Sequence, residues 1–409
     1  MPRLRITLLV SFTLALFTAA CSPQQSNTHS DTPLLLISLD GFMPEYLDRV
    51  DTPHLDRLIA GGVMAEALTP VFPSKTFPNH YSIATGLFPE NTGVVSNTMY
   101  DPEFEERFSL GNRDAVTDGR WYGGEPIWVT AEKQGMRAGT MFWVGSEAEI
   151  QGIRPTFWND YDNSVPYNSR VDSIVNWLTL ENELQTRLTT LYFSSVDGTG
   201  HRHGPNSQEV VDAVENADAT IGYLIEQLEA KGIWPNINII IVSDHGMAEV
   251  TPEKIIMLDD IIDLEDVRVV DWTPVAMLQP DEGKKDEIYS QLKAAENNYV
   301  VYKKEDIPEE YRIKNHYRVP EIMMIADMNY TITSRSFFES RGVSGATHGW
   351  DHRAPEMQGV FVAHGPGFVE GQTIPSFQSV HIYEAMCYLL GLNPAENDGS
   401  LETLSPILR

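Results

Sequence analysis

The sequence predicts an α/β protein in which a central, mostly parallel sheet is flanked by helices. Four short apolar runs lie at residues 34–39, 189–196, 237–242 and 359–363. Continuous apolar runs of this length are typical of strands that are covered on both faces, as in a parallel sheet. Amphipathic stretches separate these runs, and strands that alternate with helices indicate the α/β class.

The predicted helices alternate with the strands along the chain. Apolar residues recur at helical spacing in residues 53–60, 171–178, 207–231 and 380–390, the pattern of helices with one buried face. The longest of these stretches is followed by a glycine and a proline, which terminate helices, and then directly by the next apolar run.

Two long segments interrupt this alternation. Residues 97–170 are rich in Trp, Tyr and Gly, and residues 250–340 are more charged and less regular. We expect both to be insertions within a single domain over residues 34–409. The second would form a subdomain of mixed helix and strand.

The composition is that of an acidic globular protein. The 409 residues include 58 Asp and Glu against 29 Lys and Arg, a formal net charge of −29. This balance argues against binding to polymeric nucleic acid or to anionic lipid headgroups, which attract basic surfaces. A hydrophobic fraction of 42% without biased tracts excludes disordered and fibrous classes. A phosphate-bearing substrate would need local positive charge, which a bound metal ion would supply.

Residues 1–20 have the pattern of a secretory signal peptide. Two arginines precede an apolar run, and small residues precede Cys21. A cysteine directly after the cleavage point is typical of a bacterial lipoprotein. Cys21 would then be lipidated, residues 21–33 would form a flexible tether, and the protein would be anchored in the bacterial periplasm or outer membrane. The alternative is an ordinary cleavage site with an incidental cysteine. The remaining Cys387 is expected to be a buried packing residue.

Candidate metal ligands follow the predicted strands or lie in glycine-rich turns. They are Asp40, Asp197, His201, Asp244, His245 and His348. The carboxyl ends of strands form the ligand-binding edge of an open α/β sheet, and carboxylates with imidazoles suit zinc, with manganese or iron as alternatives. Taken singly, Asp40 and Asp197 are also candidates for helix caps or turns, and His348 for a hydrogen-bonded loop residue.

A candidate nucleophile lies in the segment 73–80, which reads Pro-Ser-Lys-Thr-Phe-Pro-Asn-His. A hydroxyl attacks phosphorus only after activation by a base or a metal ion. The alternative is that Ser74 or Thr76 only caps a helix that runs through residues 81–84. The two interpretations are compatible, because a helix N-terminus carries partial positive charge towards an incoming phosphate.

Five short motifs are spread along the region from residue 34 to about 390. They are Asp40-Gly41, Lys75-Thr76-Phe77-Pro78-Asn79-His80, Asp197-Gly198-Thr199-Gly200-His201, Asp244-His245-Gly246-Met247 and Thr347-His348-Gly349. Their order and separation resemble the nucleotide pyrophosphatase/phosphodiesterase family, specifically a bacterial nucleotide-cleaving member of this branch of the alkaline phosphatase superfamily. The resemblance implies an alkaline-phosphatase-like fold, two Zn²⁺ per chain and Thr76 as the nucleophile.

The resemblance also implies which residues hold each zinc ion. By this analogy one ion is held by Asp40, Thr76, Asp244 and His245, and the other by Asp197, His201 and His348. In-line attack by Thr76 would give a phosphothreonine intermediate, which is then hydrolysed. His203 is expected to be a neighbour of the site and not a ligand.

Substrate-binding residues are likewise implied by the resemblance. Asn97 would bind a nonbridging phosphate oxygen, and a neutral amide donor there favours a diester over a monoester; without the resemblance Asn97 is interpreted as a turn residue. The nucleoside pocket would be lined by Phe77, Leu110, Trp143, Tyr161 and Tyr192, each of which is otherwise an ordinary core residue. Glu147 stands where related enzymes often carry Asp, which leaves its contact with the base open.

Together these inferences predict a zinc-dependent hydrolase with a catalytic domain over residues 34–409. It would cleave nucleoside triphosphates, dinucleotides or nucleotide sugars at phosphodiester or pyrophosphate bonds and release nucleoside 5′-monophosphates. The alternatives are a phosphomonoesterase of the same superfamily and a surface lipoprotein that binds nucleotide or metal without turnover.

Overall fold

The computed structural model describes residues 31–343 and 345–409. The predicted signal peptide and Cys21 lie outside the described residues, as does most of the predicted tether 21–33. Within the described ranges, no helix is both long and apolar enough to cross a membrane.

A central eight-stranded sheet organises the fold. In spatial order its strands are Gln372–Ile374, Gly62–Ala65, Phe361–His364, Asn238–Val242, Leu34–Leu39, Leu188–Phe193, Ala138–Met141 and Phe157–Trp158. Leu34–Leu39 pairs in parallel with the strands on both of its sides. Among these strands only Phe361–His364 runs antiparallel to its neighbours. The predicted α/β class with a mostly parallel sheet is therefore confirmed.

The strand Leu34–Leu39 shows why the central strands read as unbroken apolar runs. All six of its residues are buried. Leu34 and Leu36 belong to the hydrophobic layer on one face of the sheet, whereas Leu35, Ile37 and Leu39 belong to the layer on the other face. Because side chains alternate across a strand, a sheet that is covered on both faces requires apolar residues at every position.

Helices cover both faces of the sheet. Among the described residues as a whole, on this sheet and elsewhere, the helices of seven or more residues are Pro53–Ala60, Thr76–Thr85, Ile127–Lys133, Tyr167–Leu178, Ser195–His203, Gln208–Ala230, Lys285–Ala294, Arg335–Arg341 and Ile382–Leu390. Asp218, on the longest helix, accepts hydrogen bonds from the backbone N–H groups of His54 and Leu55. It thereby satisfies the free donors at the start of Pro53–Ala60 and joins the two helices.

The prediction of a strand over residues 189–196 was wrong at its C-terminal end. The strand is Leu188–Phe193, and the helix Ser195–His203 begins two residues later. Val196 is buried as a helical residue, and hydropathy alone does not distinguish this from a longer strand. Asp197 therefore lies in the first turn of a helix, one turn before His201. The other predicted strands and helices differ from the structure by a few residues at most.

The segment 250–340 contains a second, four-stranded antiparallel sheet. Its strands, in spatial order, are Val267–Asp271, Val275–Pro280, Ile322–Ala326 and Tyr299–Lys303. Residues from this sheet and from the helix Lys285–Ala294 share a separate hydrophobic cluster. The strand Val267–Asp271 of this second sheet ends beside the candidate nucleophile, where Asp271 contacts Lys75.

The segment 97–170 is only in part an insertion. It contains a two-stranded antiparallel pair, Thr98–Asp101 with Glu106–Ser109, but it also supplies the strands Ala138–Met141 and Phe157–Trp158 to the central sheet. These two strands are short and include glycine, threonine and tryptophan, so they lack the aliphatic pattern that marks the other central strands.

Candidate functional site

Three carboxylates and three imidazoles meet at the carboxyl edge of the central sheet. This metal-ligand cluster consists of Asp40, Asp197, His201, Asp244, His245 and His348. One ligand atom each from Asp40, Asp244 and His245 lie within 4.8 Å of one another, and the same holds for Asp197, His245 and His348. The structure thus brings together all six side chains that were singled out as candidate ligands, from segments that are far apart in the sequence.

The main chain fixes Asp40 relative to Asp197. The backbone N–H of Asp197 donates to the carbonyl oxygen of Asp40 at 3.0 Å, and the backbone N–H of Asp40 donates to the carbonyl oxygen of Phe193 at 2.9 Å. Gly41 has φ +69°, and a Cβ at this position would lie 2.9 Å from the Cα of Asp197. A glycine is therefore required for this close approach.

Each of the three imidazoles is oriented by a main-chain carbonyl. The Nδ1 atoms of His201, His245 and His348 lie 3.0, 2.9 and 2.8 Å from the carbonyl oxygens of Ala346, Gly246 and Ser74, respectively. A carbonyl that accepts from Nδ1–H leaves the lone pair on Nε2, which is the usual arrangement of a metal-ligating histidine. All three Nε2 atoms consequently face the carboxylates.

Three buried carboxylate oxygens of the cluster accept no hydrogen bond from the described residues: Asp40 Oδ1, Asp197 Oδ1 and Asp244 Oδ2. His245 Nε2 lies 3.0 Å from Asp244 Oδ2 and 3.5 Å from Asp40 Oδ1, and His201 Nε2 lies 3.3 Å from Asp197 Oδ1. Leaving a buried carboxylate unpaired is costly. Because a divalent cation accepts lone pairs from oxygen and imidazole nitrogen together, the donor set fits metal ions.

Burial and the crowding of charges shift the pKa values of the carboxylates in the cluster. Burial, together with the negative charges of Asp244 and Asp197, raises the pKa of Asp40 well above its ordinary value. Burial opposes ionisation of Asp244 as well, but the charges of His245 and His80 outweigh it and hold the pKa of Asp244 well below its usual range. Crowded carboxylates ionise together only when positive charge lies among them, and metal ions would provide that charge.

The three histidines shift in different directions: burial opposes protonation of each, but the nearby carboxylates outweigh it and raise the pKa of His201 and of His245. Burial and the neighbouring His245 lower the pKa of His348 well below its ordinary value. The rings of these two residues stack with their centroids 3.5 Å apart, so both cannot readily carry a proton. A neutral His348 is the form that binds a metal ion.

Thr76 is the first residue of the helix Thr76–Thr85. The residue before it, Lys75, occupies the N-cap position and makes no capping hydrogen bond through its side chain. Ser74 Oγ donates to the carbonyl of Trp350 at 2.9 Å, while Thr76 Oγ1 lies 3.2 Å from His245 Nε2. The alternative that Ser74 or Thr76 merely caps this helix is therefore wrong, and the Thr76 hydroxyl lies against the metal-ligand cluster.

Asn97 lies beside the start of the same helix. Its Oδ1 accepts a hydrogen bond from the backbone N–H of Phe77 at 2.8 Å. This contact fixes the amide group next to Thr76 and leaves its NH2 end as a donor. The turn alternative for Asn97 is compatible with this placement, since the residue directly precedes the strand Thr98–Asp101.

A cavity of about 290 Å³ opens beside Thr76. This aromatic cavity is lined by all five residues predicted for a nucleoside pocket, Phe77, Leu110, Trp143, Tyr161 and Tyr192, and also by Asp40, Thr76 and Asp197. Leu110 and Tyr161 are 46% and 40% exposed, so they line the cavity and are not core residues. The cavity therefore extends from the metal-ligand cluster to the protein surface.

The aromatic cavity is also lined by residues that the sequence analysis did not single out, among them Arg113, Asn163 and Ser194. The contacts of Glu147, left open by the sequence, are both with the protein: one oxygen accepts from the backbone N–H of Tyr161, and the other lies 2.7 Å from Arg113 Nη2. Arg113 carries no motif that would mark it in the sequence.

A buried ionic contact next to Thr76 was also missed. Lys75 Nζ pairs with Asp271 Oδ2, and Ser96 Oγ donates to the same oxygen. Gly349 makes room for the lysine, since a Cβ there would lie 3.0 Å from Lys75 Cε. These residues are separated by long stretches of chain, so no local signal in the sequence predicts the contact.

A second cavity, of about 560 Å³, adjoins the cluster beside His201 and Thr347. This threonine-lined cavity is bounded by Val250, Trp272, Thr273, Thr331, Ile332, Thr333, Phe337, Gly342 and Val343. It shares no lining residue with the aromatic cavity. The two cavities therefore contact different parts of the metal-ligand cluster.

The remaining histidines near the motifs lie outside the cluster. His203 Nδ1 is 3.7 Å from the carboxylate of Glu209 on the protein surface. His80 Nε2 lies 2.8 Å from Ser38 Oγ, and its Nδ1 lies 3.2 Å from Asp244 Oδ2, so it supports a candidate ligand without being one of the six. Cys387 is buried.

This chain is similar to known proteins both in sequence and in fold. A family model described as type I phosphodiesterase / nucleotide pyrophosphatase matches residues 34–351. Human ectonucleotide pyrophosphatase/phosphodiesterase family member 5 is 36% identical over 405 residues, which cover 98% of this chain and 83% of that protein. Bovine bis(5′-adenosyl)-triphosphatase ENPP4 is 37% identical, and the match covers 95% of this chain and 84% of the bovine protein.

Other relatives are longer than this chain. Venom phosphodiesterase 2 of Crotalus adamanteus is 34% identical over 92% of this chain, which spans only 48% of the venom protein. Among solved structures, murine ectonucleotide pyrophosphatase / phosphodiesterase 5, as an inactive threonine-to-alanine variant in complex with AMP, superimposes with a TM-score of 0.89 at 36% identity. That match covers 93% of this chain and 100% of the murine chain.

Proposed function

This chain belongs to the type I phosphodiesterase / nucleotide pyrophosphatase family, and from that premise we propose that it hydrolyses nucleotide phosphodiester and pyrophosphate bonds through a phosphothreonine intermediate on Thr76. The products would be nucleoside 5′-monophosphates. The observation that carries the proposal is the position of the Thr76 hydroxyl, 3.2 Å from His245 Nε2 at the wall that the aromatic cavity shares with the metal-ligand cluster.

The relatives support this substrate class. One of them is named a bis(5′-adenosyl)-triphosphatase, and the murine structure contains AMP, a nucleoside 5′-monophosphate. The same murine protein is inactive with a threonine replaced by alanine, which supports a catalytic role for a threonine in the family.

Two Zn²⁺ ions are proposed as the cofactors. Asp40, Thr76, Asp244 and His245 would hold one, and Asp197, His201 and His348 the other. The unpartnered oxygens of Asp40, Asp197 and Asp244 and the orientation of the three Nε2 atoms support metal binding by these residues, and Asp40, Asp244 and His245 lie close enough together to share one ion. When bound, such ions lower the pKa of a hydroxyl and neutralise charge on the phosphate.

The residues of the chain perform the remaining steps. Thr76 Oγ1 loses its proton and forms a bond to phosphorus while the bond between phosphorus and the leaving oxygen breaks. The N-terminus of the helix Thr76–Thr85 presents backbone dipoles to the phosphate, and the Asn97 amide donates to a nonbridging oxygen. Water then attacks phosphorus, the bond to Thr76 breaks, and the hydroxyl regains a proton.

The charges around the site favour a diester over a monoester. Asn97 is neutral and suits the single negative charge of a diester. Arg113 is the only Lys or Arg among the described residues that line the aromatic cavity, and its guanidinium lies 2.7 Å from Glu147. A second negative charge on the substrate would therefore gain little at this site.

Replacing the nucleophile tests the proposal. Thr76→Ala should lower turnover of the p-nitrophenyl ester of thymidine 5′-monophosphate by on the order of 10³-fold or more, because no other hydroxyl replaces Oγ1. Zinc content, measured by elemental analysis, should remain close to that of the wild type. The wild type should hydrolyse this diester faster than p-nitrophenyl phosphate.

A matched control is Thr179→Ala, which removes the hydroxyl that donates to the carbonyl oxygens of Val175 and Asn176 at the end of a helix. This variant should keep full activity. Wild-type turnover by Thr76→Ala would contradict the role of Thr76, and a preference for the monoester would favour the phosphomonoesterase alternative. No turnover of either ester by the wild type would favour the non-catalytic alternative.

A further inference from the structure

Arg170 is a fully buried arginine that lies behind the wall of the aromatic cavity. It is the fourth residue of the helix Tyr167–Leu178 and is not itself one of the lining residues. Its hydrogen-bond acceptors among the described residues are all uncharged, namely main-chain carbonyls and one side-chain amide. A buried charge is costly unless hydrogen bonds satisfy it, so these acceptors determine what Arg170 holds in place.

The three nitrogen atoms of the guanidinium reach two separate segments of the chain. Nη1 donates to the carbonyl oxygen of Tyr192 at 2.9 Å, at the end of the strand Leu188–Phe193. Nε donates to the carbonyl oxygen of Val165 at 3.1 Å, and Nη2 lies 3.4 Å from both the main-chain and the side-chain oxygen of Asn163. Because the guanidinium is a rigid, planar fork, these contacts fix the spacing between the strand end and the loop before the helix.

The carbonyl of Tyr192 needs this donor because the neighbouring strand has already ended. Carbonyl groups point alternately to the two sides of a strand, and the carbonyl of Phe193 accepts from Asp40 on one side. The carbonyl of Tyr192 therefore faces the other side, where the strand Ala138–Met141 stops one residue earlier. A buried carbonyl requires a partner, and Arg170 supplies it in place of the missing strand.

Phe142 is the point at which the chain leaves that neighbouring strand. It has φ +67°, a left-handed conformation that bulky residues rarely adopt. The guanidinium carbon of Arg170 lies 5.0 Å from the centroid of the Phe142 ring and 4.7 Å from that of Tyr167. A cation is attracted to an aromatic face at this distance, so Arg170 also supports Phe142 in its turn.

The groups that Arg170 holds are parts of the cavity wall. Phe142, Asn163 and Tyr192 all line the aromatic cavity, and they come from three different segments. Asn163 Oδ1 also accepts a hydrogen bond from Ser194 Oγ at 2.8 Å. Because two donors meet this oxygen, the amide of Asn163 has a fixed orientation, and its NH2 end is left as a donor.

We propose that Arg170 is a positioning residue, which holds three parts of the wall of the aromatic cavity at a fixed spacing and thereby strengthens binding of the nucleoside. This inference rests on the proposed function. Arg170 acts through the geometry of its donors and not through attraction of its charge to the substrate. Its loss should therefore affect the nucleoside half of a substrate and leave the reaction at phosphorus intact.

The test compares two esters that differ only in the group that would occupy the aromatic cavity. The p-nitrophenyl ester of thymidine 5′-monophosphate carries a nucleoside, whereas methyl p-nitrophenyl phosphate carries a methyl group. Both have one negative charge and release p-nitrophenolate. The ratio of their kcat/KM values therefore measures what the nucleoside contributes.

Arg170→Gln should lower this ratio about tenfold, the size of one lost base stack. The loss should appear as a higher KM for the thymidine ester, with kcat for this ester and kcat/KM for the methyl ester each within about twofold of the wild type. Arg170→Lys keeps the charge but not the planar fork, so it should lower the ratio nearly as far. A merely structural role of Arg170 would impair both esters equally.

A second site tests the same contact without changing a buried residue. Asn163→Ala removes one acceptor of Arg170 from an exposed position and should also lower the ratio. Combined with Arg170→Lys, it should lower the ratio by less than the product of the two single effects, because both changes remove the same contact. The control Arg137→Lys replaces an arginine that is 46% exposed and pairs with Glu132, and it should leave the ratio unchanged.

The outcomes separate the two proposals. A wild-type ratio in Arg170→Gln that is folded by circular dichroism, a ratio restored by Arg170→Lys, or an equal loss on both esters would overturn the positioning role while leaving the hydrolase activity intact. If neither Arg170 variant folds, a lowered ratio in Asn163→Ala supports the role and a wild-type ratio overturns it. Absence of hydrolysis of both esters by the wild type would overturn the proposed function itself.

Discussion

Tyr192 belongs both to the aromatic cavity and to the support of the metal-ligand cluster. Its ring lines the cavity, and its hydroxyl donates a hydrogen bond to Asp40 Oδ2. Burial and the nearby charge of Asp40 raise the pKa of Tyr192 well above its ordinary value, so the hydroxyl remains a donor. Tyr192 thereby leaves Asp40 Oδ1, which accepts no hydrogen bond, as the oxygen directed at a metal ion.

Tyr192→Phe is expected to weaken metal binding while sparing the ring that faces the substrate. Loss of a hydrogen bond to a metal-ligating carboxylate typically costs 10- to 100-fold in metal affinity. Chelator should abolish the activity of the wild type, added Zn²⁺ should restore it, and the variant should lose activity at a roughly tenfold lower chelator concentration. Its KM at saturating Zn²⁺ should stay close to the wild-type value.

Tyr161→Phe is the matched control for this experiment. Tyr161 lines the same cavity, but among the described residues its hydroxyl forms no hydrogen bond with a candidate ligand. This variant should keep the chelator sensitivity of the wild type. Equal sensitivity of all three proteins would show that Tyr192 does not support the metal site, and activity that resists chelation altogether would contradict the metal assignment.

Among the elements, the strand Val267–Asp271 of the second sheet links the two segments that carry Thr76 and Asn97, the residues with proposed catalytic roles. Asp271 pairs with Lys75, which precedes Thr76, and accepts a hydrogen bond from Ser96, which precedes Asn97. The hydrogen bond from Phe77 N–H to Asn97 Oδ1 links the same two segments at 2.8 Å. The second sheet therefore sets the distance between Thr76, the proposed nucleophile, and the Asn97 amide that is proposed to bind phosphate.

Asp271→Asn should impair chemistry more than substrate binding. The neutral amide leaves Lys75 without its counter-charge, so the start of the helix Thr76–Thr85 shifts relative to Asn97. A displacement of about 1 Å at a catalytic group costs on the order of 10²-fold. We expect kcat for the nitrophenyl diester to fall about 10- to 100-fold with KM nearly unchanged and zinc content retained.

The control on the same sheet is Asp266→Asn. Its carboxylate pairs with Lys284 at 3.0 Å on the surface, where both side chains are about one third exposed, and it should leave kcat unchanged. If Asp271→Asn raises KM and leaves kcat intact, Asp271 does not position Thr76 and Asn97.

At the scale of the whole molecule, Arg318 connects the segment that contains the second sheet to residues 93–121, which lie near the aromatic cavity. Its guanidinium is buried and donates to Asp101 Oδ2 at 2.6 Å and to the carbonyl oxygens of Gly93 and Trp121 at 2.9 and 2.7 Å. It also lies over the ring of Trp121, 4.7 Å from its centroid. One side chain thus joins three segments of the chain.

Asp101→Asn should destabilise the fold by about 3–5 kcal/mol at neutral pH, because it leaves a buried guanidinium without its counter-charge. Burial alone would raise the pKa of Asp101, but hydrogen bonds from Arg318, Tyr317 and two backbone N–H groups outweigh it and lower this pKa. The folded state therefore favours the ionised carboxylate. Its contribution is complete above the unfolded-state pKa of about 3.9 and decreases as the pH falls through the lower folded-state pKa.

Chemical denaturation at several pH values checks this expectation. The difference in unfolding free energy between wild type and Asp101→Asn should be constant near neutral pH and shrink below about pH 4. The control Glu229→Gln breaks a surface pair with Arg57, in which both side chains are about half exposed, and should cost at most about 1 kcal/mol. A difference that does not change with pH would contradict the role of the Asp101 charge.

The parts of the molecule that follow local rules were predictable from the sequence. The strand Leu34–Leu39 and the helix Pro53–Ala60 have the predicted bounds, because their apolar periodicity is unbroken and their ends carry turn or cap residues. The candidate ligands could be singled out because each lies shortly after an apolar run or among glycines, although Asp197 and His201 prove to lie on the helix that follows the strand Leu188–Phe193.

The remaining features depend on contacts between distant segments. Nothing near Lys75 in the sequence indicates that Asp271 will neutralise it, and nothing near Arg113 indicates that it will reach Glu147. The prediction that the strand continues to Val196 was wrong for a related reason, because a buried apolar residue is equally compatible with a helix and with a strand. The threonine-lined cavity likewise forms when the fold brings residues 250, 272 and 331–333 together.

The dispersal of the metal-ligand cluster from Asp40 to His348 ties metal occupancy to the integrity of the native state. No short fragment of the chain contains both halves of the cluster, so an unfolded chain has no preformed site and bound ions act as ligands of the folded form only. By mass action, each ion present at a free concentration 100 times its dissociation constant would raise the free energy of unfolding by about 2.7 kcal/mol. In a metal-poor medium this enzyme would then be both inactive and easier to unfold, and the free concentration of the metal ion would govern its lifetime as well as its rate.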